Sequence, residues 1–80
     1  MVDVIFDPSF KKDFKKIKDK AIKNKIIKQL SKLKDNPDIG KPMKYSRKGT
    51  RELYIPPFRL SYMYKKETIF ILALYHKDLQ

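Results

Sequence analysis

Apolar positions along the chain switch between two periods, and the switches mark its elements. Residues 2–6 are β-branched and aromatic apart from Asp3 and read as a strand with Val2, Val4 and Phe6 on one face. Asp7-Pro8 then reads as a helix start, with Asp7 as N-cap and Pro8 in the first helical position. Phe10, Phe14 and Ile17 follow at helical spacing, and Lys18-Asp19-Lys20 interrupts the stripe. A second helix is predicted from about Lys20 to Asp35. Ile22, Ile26, Leu30 and Leu33 form its stripe, flanked by Ala21 and Ile27, and Asn36-Pro37 stops it. The two helices are expected to form a short antiparallel hairpin. A basic loop runs from Ile39 to Thr50. Three strands are predicted after it, over 51–55, 58–64 and 68–75, turned by Pro56-Pro57 and by Lys65-Lys66-Glu67.

The fold class expected is therefore α+β. It is a single domain over residues 1–80 in the order β-α-α-β-β-β, with a mostly antiparallel sheet and both helices on one face. Alternation then assigns the faces. Phe58, Leu60, Tyr62 and Tyr64 share one side of their strand, and Arg59, Ser61 and Met63 the other. Leu53 and Ile55 should point at the helices, leaving Glu52 and Tyr54 beside Arg59. The run Ile69-Phe70-Ile71-Leu72-Ala73-Leu74 is apolar at every position and should be central in the sheet. Bulk suggests Phe70, Leu72 and Leu74 for the helix side, and Ile69, Ile71, Ala73 and Tyr75 for the open face. Arg59 would stand in the middle of that open face.

Charge gives this placement chemical meaning. Lys and Arg number 20 against 9 Asp and Glu, a formal net charge of +11 in 80 residues. A polyanionic partner follows: nucleic acid, ribosome or an acidic protein. A solvated lysine-rich surface is the plainer reading. Cysteine is absent, which excludes disulfides and thiolate metal sites. The first residues do not resemble a signal peptide and no apolar run is long enough to span a bilayer, so a cytoplasmic, non-membrane protein is expected. No P-loop, dinucleotide fingerprint or metal-ligand cluster is present, and no cofactor is expected.

Arg59 suits a phosphate-holding role, unless it simply pairs with Glu52 across the hairpin. Glu52 could act as a general base or merely neutralise Arg59. Tyr54 and Tyr75 could stack on bases or pack on the sheet. Lys41, Lys44, Arg47, Lys48 and Arg51 should surround the open face and contact phosphates. The helix lysines are either solvated or face ribosomal RNA. His76 is the only histidine, titrating near neutrality. It shares parity with Leu72 and Leu74, hence the helix side, whereas Lys77 shares parity with Tyr75.

Gly40-Lys41-Pro42-Met43-Lys44, then Gly49, then Phe58-Arg59-Leu60-Ser61-Tyr62, and finally His76-Lys77, resemble in order and spacing the RelE/ParE superfamily of toxins from toxin–antitoxin systems, archaeal RelE-like members in particular. The resemblance covers nearly the whole chain. It implies a ribosome-dependent endoribonuclease that cuts mRNA and is neutralised by a cognate acidic RelB-like antitoxin, with a toxin–antitoxin heterotetramer as one assembly. By the same resemblance Tyr75-His76 is similar to the YoeB-like ribonuclease branch, where a terminal His serves the chemistry. The catalytic candidates are then Arg59, His76, Lys77 and Glu52. Two departures stand out: Glu52 and Tyr54 occupy strand positions that are basic in many members, and no Tyr follows His76. The ParE branch, which implies DNA gyrase as target, is the rival, followed by a non-catalytic RNA-binding module.

Overall fold

The computed structural model describes residues 2–43 and 49–76. It holds two helices and a five-stranded mixed sheet. The elements are β1 (Asp3–Phe6), α1 (Pro8–Lys16), α2 (Lys20–Asp35), β2 (Lys41–Pro42), β3 (Arg51–Ile55), β4 (Phe58–Lys65) and β5 (Thr68–His76). Sheet order is β1-β5-β4-β3-β2. β1 runs parallel to β5, and all other neighbours are antiparallel. The β-α-α-β-β-β order holds, with one addition. The basic loop contributes the two-residue strand β2, which registers Lys41 against Glu52 and Pro42 against Arg51.

Local chemistry explains the helix limits. The Asp7 carboxylate accepts from Ser9 N at 2.8 Å, and Pro8 needs no partner in the first turn. Asp19 likewise caps α2, accepting from Ala21 N and Ile22 N. Lysines in the last turns of both helices sit at the negative end of the helix dipole. α1 lies over β5, and α2 reaches β3. The core between helices and sheet is Phe10, Ile17, Ile26, Leu33, Ile55, Leu60, Tyr62, Ile69, Ile71 and Leu74.

The strand β5 corrects one expectation. Ile69 and Ile71, both fully buried, point at the helices, whereas Phe70 lies on the other face opposite Met63. The cause is a bulge: Ser61 pairs with Ala73 but Tyr62 pairs with Ile71, so Leu72 is an extra residue. One extra residue reverses the parity of everything beyond it. Leu74 and His76 therefore share a face with Ile69 and Ile71. In a run apolar at every position, the pattern carried no parity to read. Ala73 and Tyr75 keep the open-face assignment.

Candidate active site on the open sheet face

Two cross-strand rows build the centre of the open face. One is Tyr54–Arg59–Tyr75, in direct register across β3, β4 and β5. The other is Lys41–Glu52–Ser61–Ala73, one step along. The Arg59 Nη1 donates to Glu52 Oε1 at 3.2 Å, and the Tyr75 hydroxyl donates to Glu52 Oε2. The Arg59 guanidinium also lies 5.3 Å from the Tyr54 ring centre, within cation–π range. The Glu52 side chain is only 6% exposed, against 34% for Arg59. A carboxylate held so far from water must be paired, and here a guanidinium and a phenol supply the partners. The Arg59 Nε–H is buried and meets no acceptor among the described residues.

The pairing of Arg59 with Glu52 across the hairpin is the reading that the geometry shows. Tyr54, 48% exposed, presents its ring to solvent over the guanidinium. Lys41 is exposed at the rim beside Glu52. The arrangement places an acceptor, a fixed cation, a phenol and an exposed cation within two adjacent rows. That is a workable set for moving a proton next to an anion.

His76 is elsewhere. It pairs with Phe58 on the helix side of the sheet, with its ring edge-on to Phe58 at 5.7 Å. It lines a cavity with Ile17, Ile22, Pro57 and Leu74. Strand parity therefore decides against a shared site for His76 and Arg59. Lys77, Lys44, Arg47 and Lys48 lie outside the described residues.

Arg51 is also corrected. It pairs with Tyr62 on the helix side of β3, not on the open face. Its Nη1 donates to the Asp38 carbonyl at 3.2 Å and the Gly40 carbonyl at 2.8 Å, while Nη2 meets the Asp38 carboxylate at 3.4 Å. Tyr62 completes this clamp: its hydroxyl donates to Pro37 O and accepts from Gly40 N, each at 2.8 Å. Burial pushes the Tyr62 phenol above its ordinary pKa, opposed by the Gly40 hydrogen bond. A Cβ on Gly40 would fall 2.5 Å from the Tyr62 hydroxyl oxygen, so only glycine fits there. Sequence reading took Tyr62 as one more apolar position. Its signal was a phenol at a core position, since a buried hydroxyl needs a partner. The clamp fixes the chain entering β2, and so sets Lys41 beside Glu52.

Among the described residues no group of three or more His, Asp or Glu side chains is placed to hold a metal ion. No described helix is long and apolar enough to cross a membrane.

Comparison with known proteins agrees with this architecture. No curated protein sequence matches the chain. Among solved structures, YafQ from Escherichia coli strain BL21(DE3) superposes with a TM-score of 0.80 at 20% identity, covering 99% of this chain and 97% of that one. The RelBE2 toxin–antitoxin complex from Mycobacterium tuberculosis gives 0.83 at 24% identity, covering 95% and 98%. The YoeB dimer from Staphylococcus aureus gives 0.78 at 26% identity, covering 94% and 97%. These matches lend no support to the narrower likeness to archaeal members. The profile for the ParE toxin of the type II toxin–antitoxin system parDE matches residues 4–78, nearly the whole chain. With that sequence match and this fold together, the chain belongs to the ParE toxin family, within the RelE/ParE superfamily of type II toxin–antitoxin toxins.

Proposed function

We propose that this toxin is a cytoplasmic endoribonuclease that cuts mRNA on the ribosome and so blocks translation. The observation that carries the reading is the buried Glu52 carboxylate held between Arg59 and Tyr75 on the sheet face turned away from the helices. RNA carries its own nucleophile. A base removes the ribose 2′-hydroxyl proton, the 2′-oxygen bonds to phosphorus, and the bond to the leaving 5′-oxygen breaks as that oxygen takes a proton. Glu52 is the base of this scheme. Arg59 and Tyr75 hold this carboxylate in a fixed orientation on the sheet. Arg59 faces the phosphate oxygens and stabilises the charge that builds there. Lys41 adds positive potential at the rim. Tyr54 offers a stacking surface for a base. The proton donor is not His76 in the geometry described, because the sheet lies between it and Glu52.

The implied partners are the ribosome with its message and an acidic RelB-like antitoxin. The structural relatives include toxin–antitoxin complexes such as E. coli RelBE and S. aureus YoeB–YefM. The second reading is inhibition of DNA gyrase, favoured by the ParE profile. Primer extension on a programmed ribosome separates the readings. We expect message cleavage by the wild type and a loss of roughly 10²–10³-fold in Arg59→Ala, the scale of losing a preorganised charge stabiliser. Gyrase-dependent DNA breaks with intact message would instead establish the second reading.

A further inference from the structure

We propose that Tyr75 is the proton donor of this site: its phenol protonates the leaving 5′-oxygen as Glu52 takes the 2′-proton. This deepens the ribonuclease reading and rests on it, since there the base and the charge stabiliser have residues and the acid has none.

Sheet geometry puts the phenol in place. β3 and β5 flank β4, so Glu52 and Tyr75 stand two strand spacings apart, roughly 10 Å. The row Glu52–Ser61–Ala73 carries two small side chains beside that gap. A tyrosine is long enough to lean across β4 there, and the Tyr75 hydroxyl donates to Glu52 Oε2. Arg59, in direct register with Tyr75, reaches the other oxygen of the same carboxylate. Base, cation and phenol therefore meet at one carboxylate, and Tyr75 is only half-buried.

The other groups fit the role less well. A guanidinium does not give up a proton near neutral pH, which removes Arg59. The Tyr54 ring lies on that guanidinium. His76 is on the helix side of the sheet, opposite Phe58. Lys41 stands exposed at the rim.

Electrostatics couples the two proton transfers. At neutral pH a phenol holds its proton and a carboxylate has none. While Glu52 is charged, it holds the Tyr75 hydroxyl by a charge-assisted bond. The 2′-proton discharges Glu52 and weakens that bond, so the phenol turns its proton to the 5′-oxygen. The bond from the 2′-oxygen to phosphorus forms, the bond from phosphorus to the 5′-oxygen breaks, and the 5′-oxygen leaves as an alcohol. Glu52 then returns its proton to the Tyr75 phenolate, and both groups are as they began. One proton enters the pair as one leaves, so a single negative charge stays opposite Arg59 throughout. Storing the proton would instead leave the guanidinium without its counter-charge beside a Glu52 side chain only 6% exposed.

The test uses a message with one sulfur in place of the 5′-oxygen at the cleaved phosphate, presented on a programmed ribosome. A thiolate leaves without a proton, so the donor becomes dispensable. On ordinary message Tyr75→Phe should cleave roughly 10²–10⁴-fold more slowly than wild type, per folded molecule. On the sulfur-linked message it should come within about tenfold of wild type. Arg59→Ala should stay slow on both, because its charge falls on the non-bridging oxygens. A Tyr75→Phe defect of equal size on both messages would make Tyr75 a positioning residue for Glu52 and overturn the proposal. So would ordinary message cleaved by Tyr75→Phe at the wild-type rate, or sulfur rescue at Lys41→Ala or His76→Ala in its place. Circular dichroism reports folding. If Tyr75→Phe does not fold, difluorotyrosine placed at position 75 replaces it. Fluorine acidifies the phenol, so the alkaline fall in rate should move to lower pH, and an unmoved profile would overturn the proposal. Wild type that leaves both messages intact sinks the ribonuclease reading and the donor with it, whereas active wild type with an unrescued Tyr75→Phe removes the donor alone.

Discussion

Arg59 and Arg51 sit on neighbouring strands, and each meets a tyrosine and an acid, but the two clusters have opposite uses. Arg51 is spent on structure. It reaches two main-chain carbonyls and the Asp38 carboxylate, while Tyr62 ties Pro37 and Gly40 together beside it. Arg59 meets a side-chain carboxylate and an aromatic ring, and its Nε–H has no acceptor among the described residues. One cluster closes a loop against the core; the other holds a buried carboxylate on the opposite face of the sheet. The lesson is that residue type does not distinguish a clamp from a site. The sheet face does, because it decides whether an arginine meets the backbone of a folded-back loop or a side-chain carboxylate.

The largest effect expected within this contrast is at Glu52. Glu52→Gln keeps the shape but offers one acceptor oxygen in place of two and removes the base, so cleavage of ribosome-bound message should fall about 10²–10⁴-fold. Ribosome binding should change little, because many other cations share that work. Cleavage at the wild-type rate would reduce Glu52 to a counter-ion for Arg59.

The clamp should answer in stability. Gly40→Ala forces a Cβ against the Tyr62 ring and hydroxyl, and should destabilise by about 1–3 kcal/mol, the usual scale of overpacking. Urea unfolding measures it. An unchanged midpoint would mean that residues 37–40 are not held as described. Tyr62→Phe should cost about 1–3 kcal/mol by leaving the Gly40 amide and Pro37 carbonyl without their partner.

The smallest effect is a pH dependence. Folding raises the Tyr62 pKa above its ordinary value of 10.0, because burial disfavours the phenolate. The neutral phenol is thus favoured in the folded state, and its contribution is complete below pH 10.0. It is lost as pH rises from there through the folded pKa. Wild type should therefore lose stability in that alkaline window faster than Tyr62→Phe. Parallel profiles would show that Tyr62 titrates alike in both states.

Much of this was legible in the sequence, for identifiable reasons. Asp7-Pro8, the interruption at Lys18-Asp19-Lys20 and Asn36-Pro37 punctuate the helices by local chemistry that needs no tertiary context. The hairpin around Pro56-Pro57 fixes the register of β3 and β4, so Glu52, Tyr54 and Arg59 fell on one face as expected. The bulge at Leu72 was not legible, because both parities of that run are apolar. Arg51 was misplaced because the clamp depends on the approach of residues 38–40, a contact far along the chain.

The account stands most directly on one paired measurement: Arg59→Ala and Arg51→Ala, each assayed for cleavage of ribosome-bound mRNA and for urea unfolding at matched protein concentration. Arg59→Ala should lose roughly 10²–10³-fold in cleavage per folded molecule, beyond the fall in its unfolding midpoint that comes from leaving the buried Glu52 carboxylate without its cation. Arg51→Ala should unfold at distinctly lower urea, and its folded fraction should cleave within about a factor of ten of wild type, since Arg51 acts on the phosphate only through the loop it holds. The reverse pattern would contradict the account, with Arg51→Ala folding normally but inactive and Arg59→Ala active but unstable. It would move the site to the helix side of the sheet.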